Sequence, residues 1–348
     1  MKRLALIVLA VLLAVVLAAT TDAATRAKGS TRVFSYVGSP GFPAYVFVHQ
    51  NARVYAGTYT NPAGDKIRSR VFEWTATGTL LRSWTVPGQN LNVEHGVQVA
   101  NSDARGRLVL LEKSTSSVLT LDTRTGRFTK QATLPDLSQI AGEPIPNYAT
   151  WGPKGALFIT DYGQSVIWRI PAAGGTPKVW FSSKDLQGVG FGTTGIVYRP
   201  ASHDFLIAQQ TGGPGNPASG KLYRLGVTST GTAGTLKVLW TSQPTELPDG
   251  FGIARSGHIY IANVGLSNQL VELSAHGQEL ARFGTAVSGD NGSPIPFDGP
   301  SNATFLGTRV LVANQSPITG TPGHHAILDV EVGESGAPIF RPTVSVLR

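Results

Sequence analysis

Gly-Phe-Pro-Ala-Tyr-Val-Phe-Val (41–48), followed after a polar turn by Val-Tyr-Ala (54–56), decides the fold, because the pair returns in altered form five more times. The later copies are 94–99 with 108–111, 146–151 with 156–160, 193–198 with 205–208, 248–253 with 259–262, and 300–305 with 310–313. With Tyr55, Val109, Phe158, Ile207, Ile261 and Val312 as phase markers, the copies recur every about 50 residues, the period of a propeller blade. Within each repeat, β-branched and aromatic runs are separated by turn residues such as Gly-Pro-Lys-Gly (152–155) and Arg-Ser-Gly-His (255–258), which reads as strands joined by hairpins. A third run (118–122, 166–170, 221–225 or 269–273) and a less regular outer stretch follow, giving the four strands of a blade. The chain is therefore expected to be all-β, a six-bladed β-propeller of four-stranded blades. Segments 31–36 and 343–347 are strand-like and have no repeat of their own, so a terminal strand is expected to close the ring.

Lys2 and Arg3 precede an apolar run from Leu4 to Ala18 and then small residues through Ala24, the layout of a secretory signal peptide. Residues 1–24 are read as that signal, cleaved after Ala23 or Ala24, and 25–348 as one propeller domain. The apolar run is shorter than the roughly 20 residues of a membrane-spanning helix, so the mature protein is expected to be secreted, extracellular and free of the membrane. The chain has no cysteine, hence no disulfide framework and no lipid-bearing thiol. Its net charge of +8 comes from scattered residues with only short clusters such as Lys66, Arg68 and Arg70. No basic stripe with interleaved aromatics is present, which argues against nucleic acid as a partner. The 41 glycines and 22 prolines fit strands and tight turns, and no linker divides the chain. A monomer with a small-molecule substrate or ligand is the expectation.

Aligning the six copies on their first strand puts Ala44, Glu94, Asn147, Thr194, Asp249 and Ser301 at the entry to the innermost strand, where blades converge on a central channel. The next residues are Tyr45, His95, Tyr148, Gly195, Gly250 and Asn302, which adds aromatic and imidazole groups. In an antiparallel blade the second strand returns to the same face, so Glu112, Asp161, Gln209, Asn263 and Asn314 are expected close to that mouth as a second oxygen-rich ring. Carboxylate and amide oxygens without thiolates suit a hard divalent cation, with Glu94, Asn147 and Asp249 as ligands and calcium ahead of magnesium, manganese or zinc. Asp249, between Pro248 and Gly250, is the candidate catalytic base, since a carboxylate beside a metal can deprotonate water or steer it toward a carbonyl. Asn147, Thr194, His95, Tyr148 and Asn302 are the candidate substrate contacts. The same polar residues would equally serve a channel that only holds water, with blade-end carboxylates stabilising turns.

Other patterns carry less. Gly-Phe-Gly-Thr-Thr-Gly (190–195) matches the dinucleotide fingerprint, but strand-like residues follow it where a helix is needed. His324 and His325 lack a third ligand in sequence reach and read as an exposed loop. Asn291, Asn302 and Asn314 open glycosylation sequons. No Gly-x-Ser-x-Gly elbow is present, so an ordinary serine hydrolase is not expected.

At Pro248-Asp249-Gly250 and Ile-Tyr-Ile-Ala-Asn (259–263) the chain resembles the senescence marker protein and gluconolactonase family of six-bladed propellers, and the likeness extends over most of the chain after the signal. That resemblance implies a divalent cation held in the channel by a glutamate of the first blade, an asparagine of the fourth and an aspartate of the fifth, with a third-blade asparagine on the substrate. By position the aspartate corresponds to Asp249 and the third-blade asparagine to Asn147. The glutamate falls on Ala44 and the fourth-blade asparagine on Thr194, and Glu94 of the second blade would restore the missing negative charge. The leading expectation is a lactone or ester hydrolase. The alternatives are a non-catalytic propeller binding a small molecule, carbohydrate or protein at the same face, and a lyase using His95 and Glu94.

Overall fold

The computed structural model describes residues 26–347 apart from 214 and 217. The expected signal segment lies outside the described residues. Six four-stranded antiparallel sheets follow one another along the chain. Blade one holds Pro43–Val48, Val54–Thr58, Arg70–Trp74 and Leu80–Thr85, and blades two to five repeat that order. The innermost strands of blades two to six are Val97–Ser102, Pro146–Trp151, Thr193–Arg199, Pro248–Ile253 and Pro300–Leu306. Each packs beside the innermost strand of the next blade, and that of blade six returns to blade one, so the ring is closed.

Closure comes from the N-terminal end. Thr31–Tyr36 pairs with Ala326–Glu331 as the outermost strand of blade six. Segment 343–347 instead belongs to a tail that crosses the base. The Ala337 amide donates to Ile253 O at 2.8 Å, Phe340 meets Tyr198 edge to face at 5.1 Å, and the Ala104 amide donates to Ser345 O at 2.9 Å. Leu347 is fully buried among residues of blades two and three.

Second strands such as Leu157–Asp161 are buried throughout, whereas outer strands such as Leu80–Thr85 are exposed. A strand covered on both faces by neighbouring blades can be apolar at every position, which is why the second runs are near-continuous in the sequence. Trp74, Trp151 and Trp168 fill the spaces between sheets. Trp151 also ties blade three to blade two, its Nε1 donating to Ser102 O at 2.7 Å.

The feature that positions the site is a bulge at the start of the innermost strand. In blade three Pro146 pairs with Asp161 and Ala149 with Ile159, so Asn147 and Tyr148 together oppose one residue. Blades one, four and five repeat this between Pro43 and Val46, Thr193 and Ile196, and Pro248 and Phe251, and blade six has a shorter version at Ser301. A bulge re-aims side chains and sharpens the local twist. Ala44, Asn147, Thr194 and Asp249 occupy these positions.

Candidate functional site at the channel mouth

A cavity of about 350 Å³ opens at this end of the channel. Ala44, Glu94, Asn147, Thr194 and Asp249 all line it, so five of the six residues singled out by alignment share one space. The sixth, Ser301, is buried and donates to Ala44 O at 2.8 Å, joining blades six and one.

Asp249 is buried, and its Oδ1 has no hydrogen-bond partner. Burial drives its carboxyl well above the usual carboxylate range, while a hydrogen bond with Tyr148 pulls it part of the way back. The Asn147 Oδ1 is likewise buried and unpartnered. Thr194 Oγ1 donates to Pro248 O at 3.3 Å, so its proton is already committed. Gly250 has to be glycine here, because a Cβ would run into the Tyr148 hydroxyl and the Asn302 amide.

The second ring is offset by one residue from the expected one. Glu112 turns into its own hairpin, where it accepts from the Ser114 and Thr115 amides at 2.9 Å. Asp161 accepts from the Ile145 and Gln164 amides at 2.9 and 3.0 Å and from Trp168 Nε1 at 2.9 Å. Gln209 donates to Asp185 O and Gln187 O, both at 2.8 Å, and Asn314 donates to Pro296 O at 3.1 Å. The cavity wall is made by the residues that follow the second strands: Tyr59, Lys113, Tyr162, Gln210, Val264 and Gln315. Successive strand side chains point to opposite faces, so one step along the chain exchanges loop for channel.

Lys113 is the chief residue missed by the sequence reading. Its ammonium pairs with Glu94 and lies 5.2 and 5.7 Å from the ring centres of Tyr59 and Tyr162. Burial lowers its affinity for the proton, but Tyr162 and Glu94 outweigh that, and its pKa is raised. The Tyr59 hydroxyl, held protonated by burial, donates to Pro146 O at 2.9 Å. Phe191, Leu247, Pro317 and Ile318 complete an apolar surround, of which Phe191 and Ile318 are exposed.

Three expected substrate contacts lie away from the cavity. His95 is fully buried, with Nδ1 facing Val93 O at 3.0 Å and Nε2 facing Ile67 O at 2.6 Å and Asp65 Oδ1 at 3.1 Å. Its backbone forms a bridge with Asn61, and the side chain therefore points opposite to that of Glu94. Tyr148 lies beneath Asp249, donating to Ser301 O at 2.7 Å and packing on Tyr45 at 4.6 Å. Asn302 accepts from the Val46 amide at 3.0 Å and joins blade six to blade one. His325 is also not an exposed loop residue: it is buried against Phe42, while His324 Nδ1 meets Asp298 at 2.8 Å.

Two observations bear on a divalent metal. In the channel, the unpartnered oxygens of Asn147 and Asp249 fit a hard cation, whereas Ala44 offers no donor atom and Glu94 is already paired. Outside the cavity, His258, Glu272 and Glu334 bring ligand-type atoms within 4.8 Å of one another. In that second cluster His258 Nδ1 lies 2.9 Å from Glu334 and 3.2 Å from Glu272, and Lys28 meets Glu272 at 3.0 Å.

Fold and site together define a six-bladed propeller with a buried polar pocket at one mouth of its channel. No family model matches the chain, and no curated protein matches it in sequence. Solved structures do share the fold. Regucalcin from Agrobacterium tumefaciens, described as a calcium-binding protein, is similar at a TM-score of 0.60 and 18% identity, covering 89% of this chain and 99% of its own. A putative gluconolactonase matches at 0.59 and 14%, covering 89% and 94%. Virginiamycin B lyase from Staphylococcus aureus matches at 0.55 and 13%, covering 86% and 98%. At these identities the likeness is one of fold, which hosts more than one chemistry.

Proposed function

We propose that the protein is an exported hydrolase that opens a lactone or related ester at the channel mouth, assisted by a divalent ion, calcium foremost, held by Asp249 and Asn147. The observation that carries this reading is the pair of buried, unpartnered oxygens on those residues, which face the same cavity from the innermost-strand bulges of blades three and five, with Thr194 of blade four between them. A buried acceptor without a donor is costly unless a ligand completes it. An ion there supplies Lewis-acid polarisation of a carbonyl oxygen. With an ion bound beside it Asp249 would be ionised, and it would take the proton from an attacking water and pass it to the alkoxide oxygen freed when the ester bond breaks. Asn147 orients the substrate through its amide, and the Tyr59 and Tyr162 rings with the apolar surround hold the substrate's body and thin the water around it. The solved neighbours described as a calcium-binding protein and a putative gluconolactonase support this choice of chemistry.

A second reading, a channel that binds a small molecule or carbohydrate without turning it over, is favoured by Ala44 and by the Lys113–Glu94 pair, which stand where a closed ion cage would need oxygen donors. Turnover separates the two. After chelation, the protein is assayed on a panel of lactones and aryl esters with calcium, magnesium, manganese or zinc restored. The hydrolase reading expects ion-dependent turnover that Asp249→Ala removes while the variant stays folded. Absence of turnover across the panel with every ion would leave the binding reading.

A further inference from the structure

We infer that the channel selects molecules bearing a carboxylate beside an apolar body, and that Lys113 is the residue that anchors it, with Glu94 as the group the ligand displaces. This rests on the reading of the cavity as a small-molecule site, and holds whether or not that site is catalytic.

The argument is one of which charge can leave. The side chain of Lys113 is 5% exposed and that of Glu94 is 46% exposed. Lys113 is packed against Tyr59 and Tyr162, so its ammonium is held at the cavity wall and cannot swing out to the surface. Glu94 sits before the start of its strand, Val97–Ser102, and can turn its carboxylate outward at little cost in solvation. The fixed charge of the cavity is therefore positive and its counter-charge is movable. The remaining polar groups of the lining near it, Asn147, Thr194, Gln98 and Gln210, are neutral. The other carboxyl of the lining, Asp249, is buried. A ligand carboxylate entering here exchanges one partner of Lys113 for another, while its apolar part meets Leu247, Val264 and Phe191. Charge-assisted hydrogen bonds of this kind are the strong ones.

The test uses non-hydrolysable probes: 3-phenylpropionate, 4-phenylbutyrate and 5-phenylvalerate against their primary amides, titrated calorimetrically into the chelated protein. At least one acid should bind, and its amide should bind about tenfold or more weakly, as expected for loss of a hydrogen bond to a charged group. Lys113→Met should bring the acid down to its amide, Lys113→Arg should keep the preference, and Glu94→Gln should tighten acid binding several-fold. Glu94→Gln, at a half-exposed position, carries the test where Lys113→Met does not fold. Amides binding as well as acids, no acid binding at millimolar concentration, or a preference that survives Lys113→Met would each overturn the inference. Acid preference without any lactone turnover would sink only the hydrolase reading; turnover of neutral lactones without acid preference would sink only this one.

Discussion

The Asp249 carboxyl lies against the Tyr148 hydroxyl, and that hydrogen bond only partly offsets the burial that disfavours the carboxylate charge. This fixes the sign of a pH effect. An aspartate in the unfolded chain ionises near pH about 3.9, whereas burial holds the folded Asp249 well above that. The stability it contributes is full below the unfolded value and is lost as pH rises through the folded one. Asp249→Asn keeps the shape and abolishes the titration. In chelated protein, the unfolding free energy of the native chain relative to Asp249→Asn should therefore fall above pH about 4, by at most about 1.4 kcal/mol per pH unit. A difference that does not vary with pH would show an ionised Asp249 in the fold.

A bound cation reverses that cost, because a neighbouring positive charge favours the carboxylate. Calcium added to chelated protein should raise the melting temperature and flatten the pH slope, since an ion at about 100 times its Kd stabilises the native state by about 2.7 kcal/mol. Both effects should vanish in Asp249→Ala and weaken in Asn147→Ala. His258→Ala is the informative control: a shift lost there and kept in Asp249→Ala would assign the ion to the cluster with Glu272 and Glu334.

The blade count and the first polar ring were legible in the sequence for one reason. The bulge recurs in the same phase of most repeats, so aligning Pro43, Pro146, Thr193 and Pro248 also aligns the residues that the bulges turn into the channel. The second ring was misread because the last residue of five of the six second strands looks like a functional carboxylate or amide. Its ladder position sends it into the loop, and a two-residue period had to be counted one step further to reach Tyr59, Lys113 and Tyr162. Lys113 follows Glu112 and precedes a Ser-Thr turn, so locally it reads as a solvated charge; only the ring of blades buries it. His95 fails by the same alternation. Segment 343–347 has the composition of a strand, and nothing local reveals that 31–36 already fills the last place in blade six.

The offset between the two rings can be tested at Asp161. Its Oδ1 accepts from the amides of Ile145, Gly163 and Gln164 at 2.9, 3.1 and 3.0 Å, which makes it a loop organiser outside the cavity. Asp161→Ala should destabilise the protein by several kcal/mol, since each buried donor left unsatisfied costs about 1–3 kcal/mol. Affinity per folded molecule for any channel ligand should stay within about twofold, well under the tenfold that about 1.4 kcal/mol represents. Urea unfolding and calorimetry on the same preparation separate the two effects, and a selective loss of binding at unchanged stability would restore Asp161 to the channel.

Ring closure has its own electrostatic lock. Asp329, fully buried on the strand next to Thr31–Tyr36, meets Arg26 at 2.8 Å, Arg32 at 3.0 Å and Arg309 at 2.5 Å. Two of these arginines come from the N-terminal segment, so one buried carboxylate holds the end that closes the propeller. Removing it strands positive charge in a partly buried setting, and breaking such a pair from one side costs about 3–5 kcal/mol. Arg32 is the more exposed partner, and an exposed pair contributes only about 0–1 kcal/mol. Asp329→Ala should therefore lower stability several times more than Arg32→Ala does, and should speed hydrogen exchange in the Thr31–Tyr36 strand before the other blades are affected. Equal costs for the two substitutions, or exchange that rises uniformly around the ring, would mean that closure is held by the strand ladder and apolar burial alone.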